Sequence, residues 1–545
     1  MKAALFAAAA TVALTAGPAL AQNLWISGGP IYTGVADHPT AEVVVVQDGR
    51  ITFVGDPKTV RLKLNPGTET IDLKGAALFP GFTDAHAHLR GIGERELSLN
   101  LEGAQSAAEA AERVKTYLAT RKPSGPVWGR GWIETGWPEG RFLSREDVDA
   151  FSTGQPVLLV RADGHALVAN TAALKAAGID ETTKAPAGGE ILKGPDGKLT
   201  GMLVDNAMAL VRKLQLPPTE ADRRAAFDAA FKVEAAYGWT GVHSMSVDWK
   251  DVGLLEALNA EGKTPLRVYN AVDADQAGPL FAGGPRATKD GRITTRAIKL
   301  YEDGALGSRG AALFEPYADA PGTSGLVRTP PETMRAAMTK AKKAGIQVAS
   351  HAIGDRGNAN VLDLYAEQGV DGLRWRIEHS QIVRPADIPR FAKLGVIASM
   401  QPSHAIGDLH FAPARLGEQR LNGAYAWESF LKSGAVVVGG SDAPVERGDA
   451  LVEFYAAVAR KDLKGFSAAD WHPEEALSRA EALKLFTSSA AYARFAEKEL
   501  GTLEPGKRAD LSAFSVDLMT APEAEIPKGH AVLTIVDGKV VYRRP

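Results

Sequence analysis

Two histidines, His86 and His88, stand one residue apart in the stretch GFTDAHAH, directly after Pro80. Residues i and i+2 of a strand point to the same face, so two such imidazoles can grip one cation from the end of a strand. Neutral histidine is a common zinc ligand, but a complete site needs further nitrogen or oxygen donors. Three later candidate strands end in residues that could supply these donors, namely His351, His379 and Asp442. A lone HxH pair is weak support for a metal site, whereas this larger set indicates a metal centre.

The segments that carry these donors alternate between helical and β-branched stretches. At Gly345, Gly395 and Gly434 a helical stretch ends in glycine, and a β-branched run and polar residues follow. Such alternation predicts a parallel sheet. Eight candidate strands can be counted, at residues 81–88, 241–245, 267–272, 297–304, 346–351, 374–379, 396–401 and 436–442. Eight strands favour an α/β fold with a closed (β/α)8 barrel, whose catalytic groups lie where strands end, over the alternative of an open doubly wound sheet.

Both ends of the chain carry a hairpin pattern. Asp48-Gly49 joins two apolar runs near the start, and Asp537-Gly538 does so near the end. A lone hairpin is only marginally stable, so we expect the two to share one small β-sandwich. The predicted divisions are a sandwich of residues 22–78 and 500–545, and a barrel domain of residues 79–499 with an insertion at about 101–222.

The insertion after the first strand is far longer than one barrel helix requires. Long insertions of this kind are often lids or specificity elements. This segment contains Trp128, Trp132 and Trp137. These tryptophans indicate either that the substrate has an apolar portion or that the insertion has a core of its own.

Composition and charge limit the classes of molecule that we expect the chain to bind. The chain has 62 basic and 65 acidic residues, a net charge of −3 and no cysteine, which favours a small-molecule substrate over nucleic acid and excludes thiolate chemistry. Residues 1–21 have the order of a secretory signal, with cleavage expected near Ala21, although an uncleaved anchor is the alternative. No later segment is apolar enough to span a membrane. We therefore expect an exported protein, periplasmic or secreted, which could form a homodimer.

Lys299 lies within an Ile/Leu/Tyr run at the fourth candidate strand. An ammonium group would repel bound cations, so the simplest interpretation is a lysine that snorkels to solvent or forms a salt bridge. Its position in the ordered set of donors allows another interpretation.

That ordered set comprises HxH, a strand-four lysine, histidines on strands five and six, and a strand-eight aspartate. It resembles the amidohydrolase superfamily. The stretches KLYEDGALGSRGA, SHAIGDRGN, RIEHSQIV, SMQPSH and GGSDAPV are similar to its branch of YtcJ-like enzymes, which includes N-substituted formamide deformylase. The similarity extends over nearly the whole mature chain.

The resemblance implies a centre of two divalent metal ions, most often zinc. His86, His88 and Asp442 would bind one ion, and His351 and His379 the other. Lys299 matches the lysine that reacts with carbon dioxide in related enzymes, and the resulting carbamate bridges the metals. Some branches use a glutamate instead or hold one metal, and Glu302 is the fallback for that role.

The chemistry implied is hydrolysis. Water held between two cations has its pKa lowered toward neutrality, which makes it a nucleophile. Asp442 would act as the catalytic general base and deliver the proton to the leaving nitrogen. We expect His165, Arg309, Gln401 and His404 to contact substrate, although a structural role for His165 is equally open. His243 has no place in the metal set and is expected in the core or the pocket wall.

Four functions remain in competition. The leading expectation is hydrolysis of a carbon-nitrogen bond in an amide or N-formyl compound. An esterase or lactonase would use the same site, and a periplasmic binding or regulatory protein would keep the barrel without the chemistry. A metal-free barrel enzyme such as a glycosidase with paired carboxylates is the fourth.

Overall fold

A computed structural model of the chain describes residues 23–61, 63–121, 125–134, 137–152, 154–161, 166–186, 189–215, 217–307, 309–468 and 471–545. The predicted signal segment 1–21 and the predicted substrate contact His165 lie outside these residues. No helix in the described part of the chain is long and apolar enough to cross a membrane. The described residues divide into two compact units, one built from residues up to 87, 234–442 and 448–545, the other from 88–233 and 443–447.

The N-terminal segment of the first unit is made of short strands. They are β1 (Leu24–Ser27), β2 (Ile31–Tyr32), β3 (Thr40–Ala41), β4 (Val43–Gln47), β5 (Arg50–Gly55), β6 (Glu69–Asp72) and β7 (Ala77–Pro80), with a 3-10 helix at Pro57–Thr59. β4 and β5 are joined by Asp48 and Gly49, both with positive φ, as an Asp-Gly hairpin turn requires. Strands β5, β4, β1 and β6 form one sheet in that order.

The first barrel strand, β8 (Phe82–Ala87), leads into the second unit. The elements that follow are α1 (Leu89–Leu97), β9 (Leu99–Asn100), α2 (Ala107–Arg121), β10 (Val127–Trp132), α3 (Arg145–Asp149), β11 (Val157–Arg161), β12 (Ala166–Ala169), α4 (Thr171–Ala177), β13 (Gly189–Lys193), β14 (Leu199–Asp205), a 3-10 helix at Asn206–Leu214, and α5 (Glu220–Ala236). Six of the strands form a sheet of order β13-β14-β12-β11-β10-β9. Trp132 and Trp137 are buried in the core of this unit, and their indole N–H groups donate to Leu159 O and Ala104 O. These two tryptophans therefore stabilise the insertion itself.

The chain then returns to the barrel. Its remaining elements are β15 (Trp239–Val247), α6 (Trp249–Ala260), β16 (Arg267–Asp273), α7 (Gly278–Gly283), β17 (Arg286–Ala287), β18 (Ile293–Tyr301), α8 (Pro331–Lys343), β19 (Gln347–Ala352), α9 (Asp355–Gln368), β20 (Arg376–His379), α10 (Ile388–Leu394), β21 (Ile397–Met400), α11 (Pro402–Asp408), α12 (Ala412–Leu416), α13 (Glu418–Leu421), α14 (Trp427–Lys432), β22 (Val437–Gly439), α15 (Ala450–Ala459), a 3-10 helix at Pro473–Glu475, α16 (Arg479–Phe486) and α17 (Ser488–Ala493).

Eight parallel strands follow one another in the order β8-β15-β16-β18-β19-β20-β21-β22, and β17 pairs with β18 at the side. An open doubly wound sheet would reverse its strand order at a switch point, whereas this order is sequential throughout. The predicted barrel is confirmed, and it is nearly closed.

The C-terminal segment completes the β-sandwich. It contains β23 (Leu511–Phe514), a 3-10 helix at Glu523–Lys528, β24 (Ala531–Val536) and β25 (Lys539–Arg543). These strands extend the sheet β25-β24-β23-β7-β2-β3, in which β23 runs antiparallel to β7. Both ends of the chain therefore contribute strands to this sheet, while the N-terminal hairpin β4–β5 lies in the other sheet.

Candidate metal centre and active site

Predicted ligands converge at the carboxyl ends of the barrel strands in the first unit. His86 lies near the end of β8, Lys299 on β18, His351 on β19 and His379 at the end of β20. The ring of His379 has its centroid 4.9 Å from that of His86 and 4.5 Å from that of His351. The amine of Lys299 lies 3.4 Å from His86 Nε2, so parallel strands carry all four side chains to one place.

Asp442 follows β22 and joins the same cluster. Its Oδ1 lies 3.4 Å from His86 Nε2, and its backbone N–H donates to His86 O at 2.7 Å. Asp442 and His379 both have positive φ, at 59° and 74°, a backbone conformation that costs free energy in residues other than glycine and clusters at functional sites. Their backbones thus turn sharply where their side chains reach the centre.

His404, predicted as a substrate contact, lies beside the ligands. Its Nε2 is 3.6 Å from Asp442 Oδ2, and its ring stacks on His379 at 5.8 Å. His379, His404 and Asp442 are all buried, and one ligand atom from each lies within 4.8 Å of the others. His404 on α11 is therefore close enough to share a cation with the two predicted ligands.

Hydrogen bonds of the Nδ1 atoms fix the orientation of two histidine rings at the centre. His86 Nδ1 lies 2.6 Å from Glu378 Oε2, and His379 Nδ1 lies 2.8 Å from Gln401 Oε1. An ionised carboxylate and an amide oxygen can only accept, so both Nδ1 atoms carry the proton. The Nε2 lone pairs are then left for a ligand role, as in metal sites where an outer oxygen orients the histidine.

The electrostatics of the cluster suit a cation. Burial and the Lys299 charge lower the pKa of His86, and they lower the pKa of His351 to about 3, so both rings are neutral near pH 7. With Nδ1 protonated, His86 Nε2 presents a lone pair to the Asp442 oxygen 3.4 Å away. Two acceptors at that separation repel each other unless a positive charge lies near both, and the Lys299 amine, 3.4 Å from the same nitrogen, supplies positive charge in this structure.

His351 gives a second indication of a cation. Its Nε2 is buried, has no hydrogen-bond partner among the described residues, and lies 3.4 Å from Asp303 Oδ1. Asp303 accepts hydrogen bonds from the backbone N–H groups of Ala312, Ile353 and Gly354, and burial raises its pKa to about 7. A buried, unpaired imidazole nitrogen is costly. The residues present therefore fit a bound metal ion.

Asp84 closes the barrel next to the centre. Its side chain accepts from the backbone N–H groups of His86 and Ser441, at 3.1 and 3.0 Å, and from the Ser441 hydroxyl. The contact joins β8 to the segment after β22, and a Cβ on Gly440 would lie 2.4 Å from His86 N. Glycine at 440 is required for this close approach of the backbones.

Other predicted site residues have different surroundings. Arg309 is partly exposed, and its guanidinium donates to Asp319 rather than to a group of the cluster. The side-chain oxygen of Gln401, which is predicted to contact substrate, accepts a hydrogen bond from His379 Nδ1. Glu302, the fallback bridge, accepts from Asn360 of α9. His88 follows β8 directly, is half-buried and begins the second unit.

Sequence reasoning missed Glu378 and Arg376. Both are fully buried on β20, two residues apart and so on the same face of the strand. Although burial raises the pKa of Glu378, the Arg376 charge and the hydrogen bond from His86 hold it well below its usual range. The signal available was the pair of charged residues in RWRIEH, an unusual feature of a strand with both faces buried.

A cavity of about 680 Å³ adjoins the centre. Lys299 forms part of its wall together with Tyr301, Phe281, Asp273 and Arg328, and Ala337 of α8 lines it as well. The Tyr301 hydroxyl donates to Asp273 Oδ1 at 3.1 Å, and the Arg328 guanidinium lies 5.0 Å from the centroid of the Tyr301 ring. The volume suits a small organic molecule, with an aromatic wall and polar groups to orient it.

Known proteins resemble this chain over nearly its whole length. A sequence profile of the amidohydrolase family matches residues 69–542. YtcJ of Bacillus subtilis is 34% identical over 530 residues, covering 95% of this chain and 99% of its own. N-substituted formamide deformylase of Arthrobacter pascens is 28% identical over 540 residues, covering 96% and 99%. The crystal structure of an uncharacterised metal-dependent hydrolase from Pyrococcus horikoshii superposes with a TM-score of 0.76 at 29% identity, covering 92% of this chain and 99% of that one. The chain therefore belongs to the amidohydrolase family of metal-dependent hydrolases.

Proposed function

We propose that this hydrolase cleaves a carbon-nitrogen bond of a small amide or N-formyl compound. One observation carries the proposal. In a barrel of the amidohydrolase family, the Lys299 amine and Asp442 Oδ1 each lie 3.4 Å from His86 Nε2. The activity of the Arthrobacter pascens relative, a formamide deformylase by name, supports this choice of bond.

The donors would hold two divalent ions, most often zinc, between them: His86, His88, His351, His379 and Asp442. When bound, such ions lower the pKa of a coordinated water and polarise a carbonyl oxygen. Glu378 and Gln401 accept hydrogen bonds from Nδ1 of His86 and His379, which would leave Nε2 of each ring free to bind an ion. His404 lies close enough to Asp442 to contribute a further ligand or to orient the carboxylate.

Lys299 is the residue we propose to be carbamylated. Burial lowers the pKa of its amine, which favours the neutral form that attacks carbon dioxide. The ammonium would lose one proton to give this neutral amine. The amine nitrogen would then bond to the carbon and release a second proton, so the side chain would change from a cation to an anion. That change removes the repulsion between Lys299 and the ions.

Asp442 is the proposed proton carrier of the reaction. Its carboxylate would take a proton from the attacking water at the carbonyl carbon and deliver it to the departing nitrogen. The positive φ of Asp442 and the hydrogen bond from its N–H to His86 O hold the carboxylate at the centre during this transfer. Activity should therefore fall by several orders of magnitude in Asp442→Asn, and the metal content should fall in part because Asp442 is also one of the proposed donors.

The first test is metal analysis of purified protein with Lys299→Ala beside it and the exposed Lys232→Ala as the matched control. Growth with ¹³C-bicarbonate should give a carbamate carbon signal in the parent and in the control but not in Lys299→Ala. Metal should fall clearly in Lys299→Ala alone. No metal after incubation with zinc and bicarbonate would refute the proposal.

Substrate class needs a separate panel. Amides, N-formyl compounds, esters and lactones would be compared at equal concentration with the metal-loaded protein. Higher kcat/KM for amides or N-formyl compounds supports the proposal, and a preference for esters or lactones would replace it. We also propose export, and an N terminus near residue 22 in the protein recovered from the periplasm or medium would support it.

A further inference from the structure

Arg376 makes contacts to groups from four other barrel positions. It is wholly buried on β20. Its Nε and one terminal nitrogen donate to the two oxygens of Glu378, at 2.7 and 2.9 Å. The same terminal nitrogen donates to Ala85 O on β8 and to the Ser399 hydroxyl on β21, both at 2.7 Å. The other terminal nitrogen lies 2.9 Å from His243 Nδ1 on β15.

The chemistry of these groups sets the proton positions without ambiguity. Arginine can only donate, so His243 Nδ1 accepts and this ring carries its proton on Nε2. Burial and the Arg376 charge lower the pKa of His243 well below its usual value, in agreement with a neutral ring. Glu378, with two hydrogen bonds from Arg376, stays ionised and accepts from His86 Nδ1.

The contacts thus form one chain from His243 through Arg376 and Glu378 to His86. Each of these four residues is 0% exposed. A buried carboxylate is costly unless it is paired and fully hydrogen-bonded. The planar fork of arginine satisfies both oxygens and still reaches three other strands, whereas a lysine ammonium has no such geometry.

We propose that Arg376 is a positioning residue, which acts through Glu378 to hold His86 with Nδ1 protonated and Nε2 turned to the metal centre. The proposal deepens the proposed function and rests on it for the zinc measurement below. Neither Arg376 nor Glu378 contacts a reacting atom. Both act by fixing the tautomer and the orientation of a ligand.

A matched control exists in the same unit. Arg267 on β16 is also buried and makes a two-pronged contact with a carboxylate, donating to Asp510 at 2.6 and 2.9 Å. This pair joins the barrel to the terminal sandwich. Among the described residues, no hydrogen bond connects it to the candidate ligands. Arg267→Lys therefore tests the general effect of losing a buried arginine fork.

The experiment compares Arg376→Lys, Glu378→Gln and Arg267→Lys in the full chain. Histidine rings labelled with ¹⁵N in metal-free protein report the tautomer of His86, whose signals are assigned by their loss in His86→Gln. Zinc affinity is measured by competition with a chromophoric chelator. We expect the parent to show the Nδ1-protonated form, and Arg376→Lys and Glu378→Gln to show a mixture of tautomers. Zinc affinity should fall about 10- to 100-fold in these two variants, and neither readout should change in Arg267→Lys.

The double variant Arg376→Lys/Glu378→Gln should bind zinc no more weakly than Glu378→Gln alone, because the arginine acts through the carboxylate. A His86 tautomer in Arg376→Lys that matches the parent, with zinc affinity equal to that of the control, would overturn the proposal. If Arg376→Lys does not fold, Ser399→Ala removes a single acceptor and should give a smaller loss of the same kind, and no change there overturns the proposal too. Failure of the parent to bind zinc would refute the proposed function, while the tautomer of His86 would still decide the role of Arg376.

Discussion

Replacing Gly440 by alanine should separate the first barrel strand from the last at the metal centre. The added Cβ would lie 2.4 Å from His86 N, 2.8 Å from His86 Cβ and 2.9 Å from Asp84 Oδ1. His86 N belongs to the backbone, so no rotation of a side chain relieves the contact. The segment around Gly440 or the end of β8 must move instead.

The size of the effect follows from these distances. Ordinary van der Waals contact begins at 3.4 Å, so the two backbones must part by about 1 Å, and overpacking of this kind typically costs 1–3 kcal/mol. The movement also stretches the hydrogen bonds from Asp442 N to His86 O and from Ser441 N to Asp84 Oδ1, at 2.7 and 3.0 Å. Each contributes about 1 kcal/mol, which gives a total loss of about 3–5 kcal/mol in the free energy of unfolding if both bonds are lost. A ligand displaced by about 1 Å can lower kcat/KM about 100-fold.

The assays are thermal unfolding at a fixed scan rate, zinc content and kcat/KM on the best substrate found. Gly253→Ala is the matched control, because Gly253 lies exposed within α6 and a Cβ there meets no atom within 4 Å. The control should gain about 0.4–1 kcal/mol of stability. A Gly440→Ala protein with the unfolding midpoint and zinc content of the parent would refute the argument that this close approach closes the barrel.

Three further changes test other parts of the structure. Burial alone would raise the pKa of Asp537, but Arg267 and neighbouring arginines lower it from 3.8 to about 2. The ionised Asp537 carboxylate therefore stabilises the folded protein fully above pH 3.8, and this stabilisation is lost as the pH falls through 2. Asp537→Asn should lower the free energy of unfolding by about 2 kcal/mol at pH 7 and have little effect at pH 2, as followed by denaturant titration at both pH values. Arg309→Ala should leave kcat/KM within about twofold of the parent, because this guanidinium is engaged by Asp319; a larger loss in steady-state kinetics would restore Arg309 as a substrate contact. Ala337→Phe should fill part of the cavity beside Lys299 and raise KM about 10-fold for bulky amides but not for small ones, and equal KM changes for both would show that substrate does not enter the cavity.

The sequence by itself determined the barrel and most members of the candidate centre. His351, His379 and Asp442 could be selected because each ends a candidate strand in a segment where helical and strand patterns alternate. Parallel strands joined in this way all place their carboxyl ends on one side of the sheet. Periodicity and strand ends are local properties, and they can therefore be predicted from the sequence alone. The hairpins at the two ends were readable for the same reason, because the Asp-Gly turns are encoded in two adjacent residues.

Only the tertiary structure decided which side chains meet. Glu378 accepts from His86 across 292 positions of sequence, and this pairing depends on strand register and on the side to which each side chain points. The side-chain oxygen of Gln401 accepts a hydrogen bond from His379, and Arg309 pairs with Asp319. Nothing in the sequence distinguishes Gln401 from Arg309, since both follow candidate strands and both were expected to contact substrate. A local sequence pattern predicts which face of a strand a residue lies on and where the strand ends. A buried polar group, in contrast, needs a donor or acceptor within about 3 Å. Which residue supplies that partner depends on how distant segments pack.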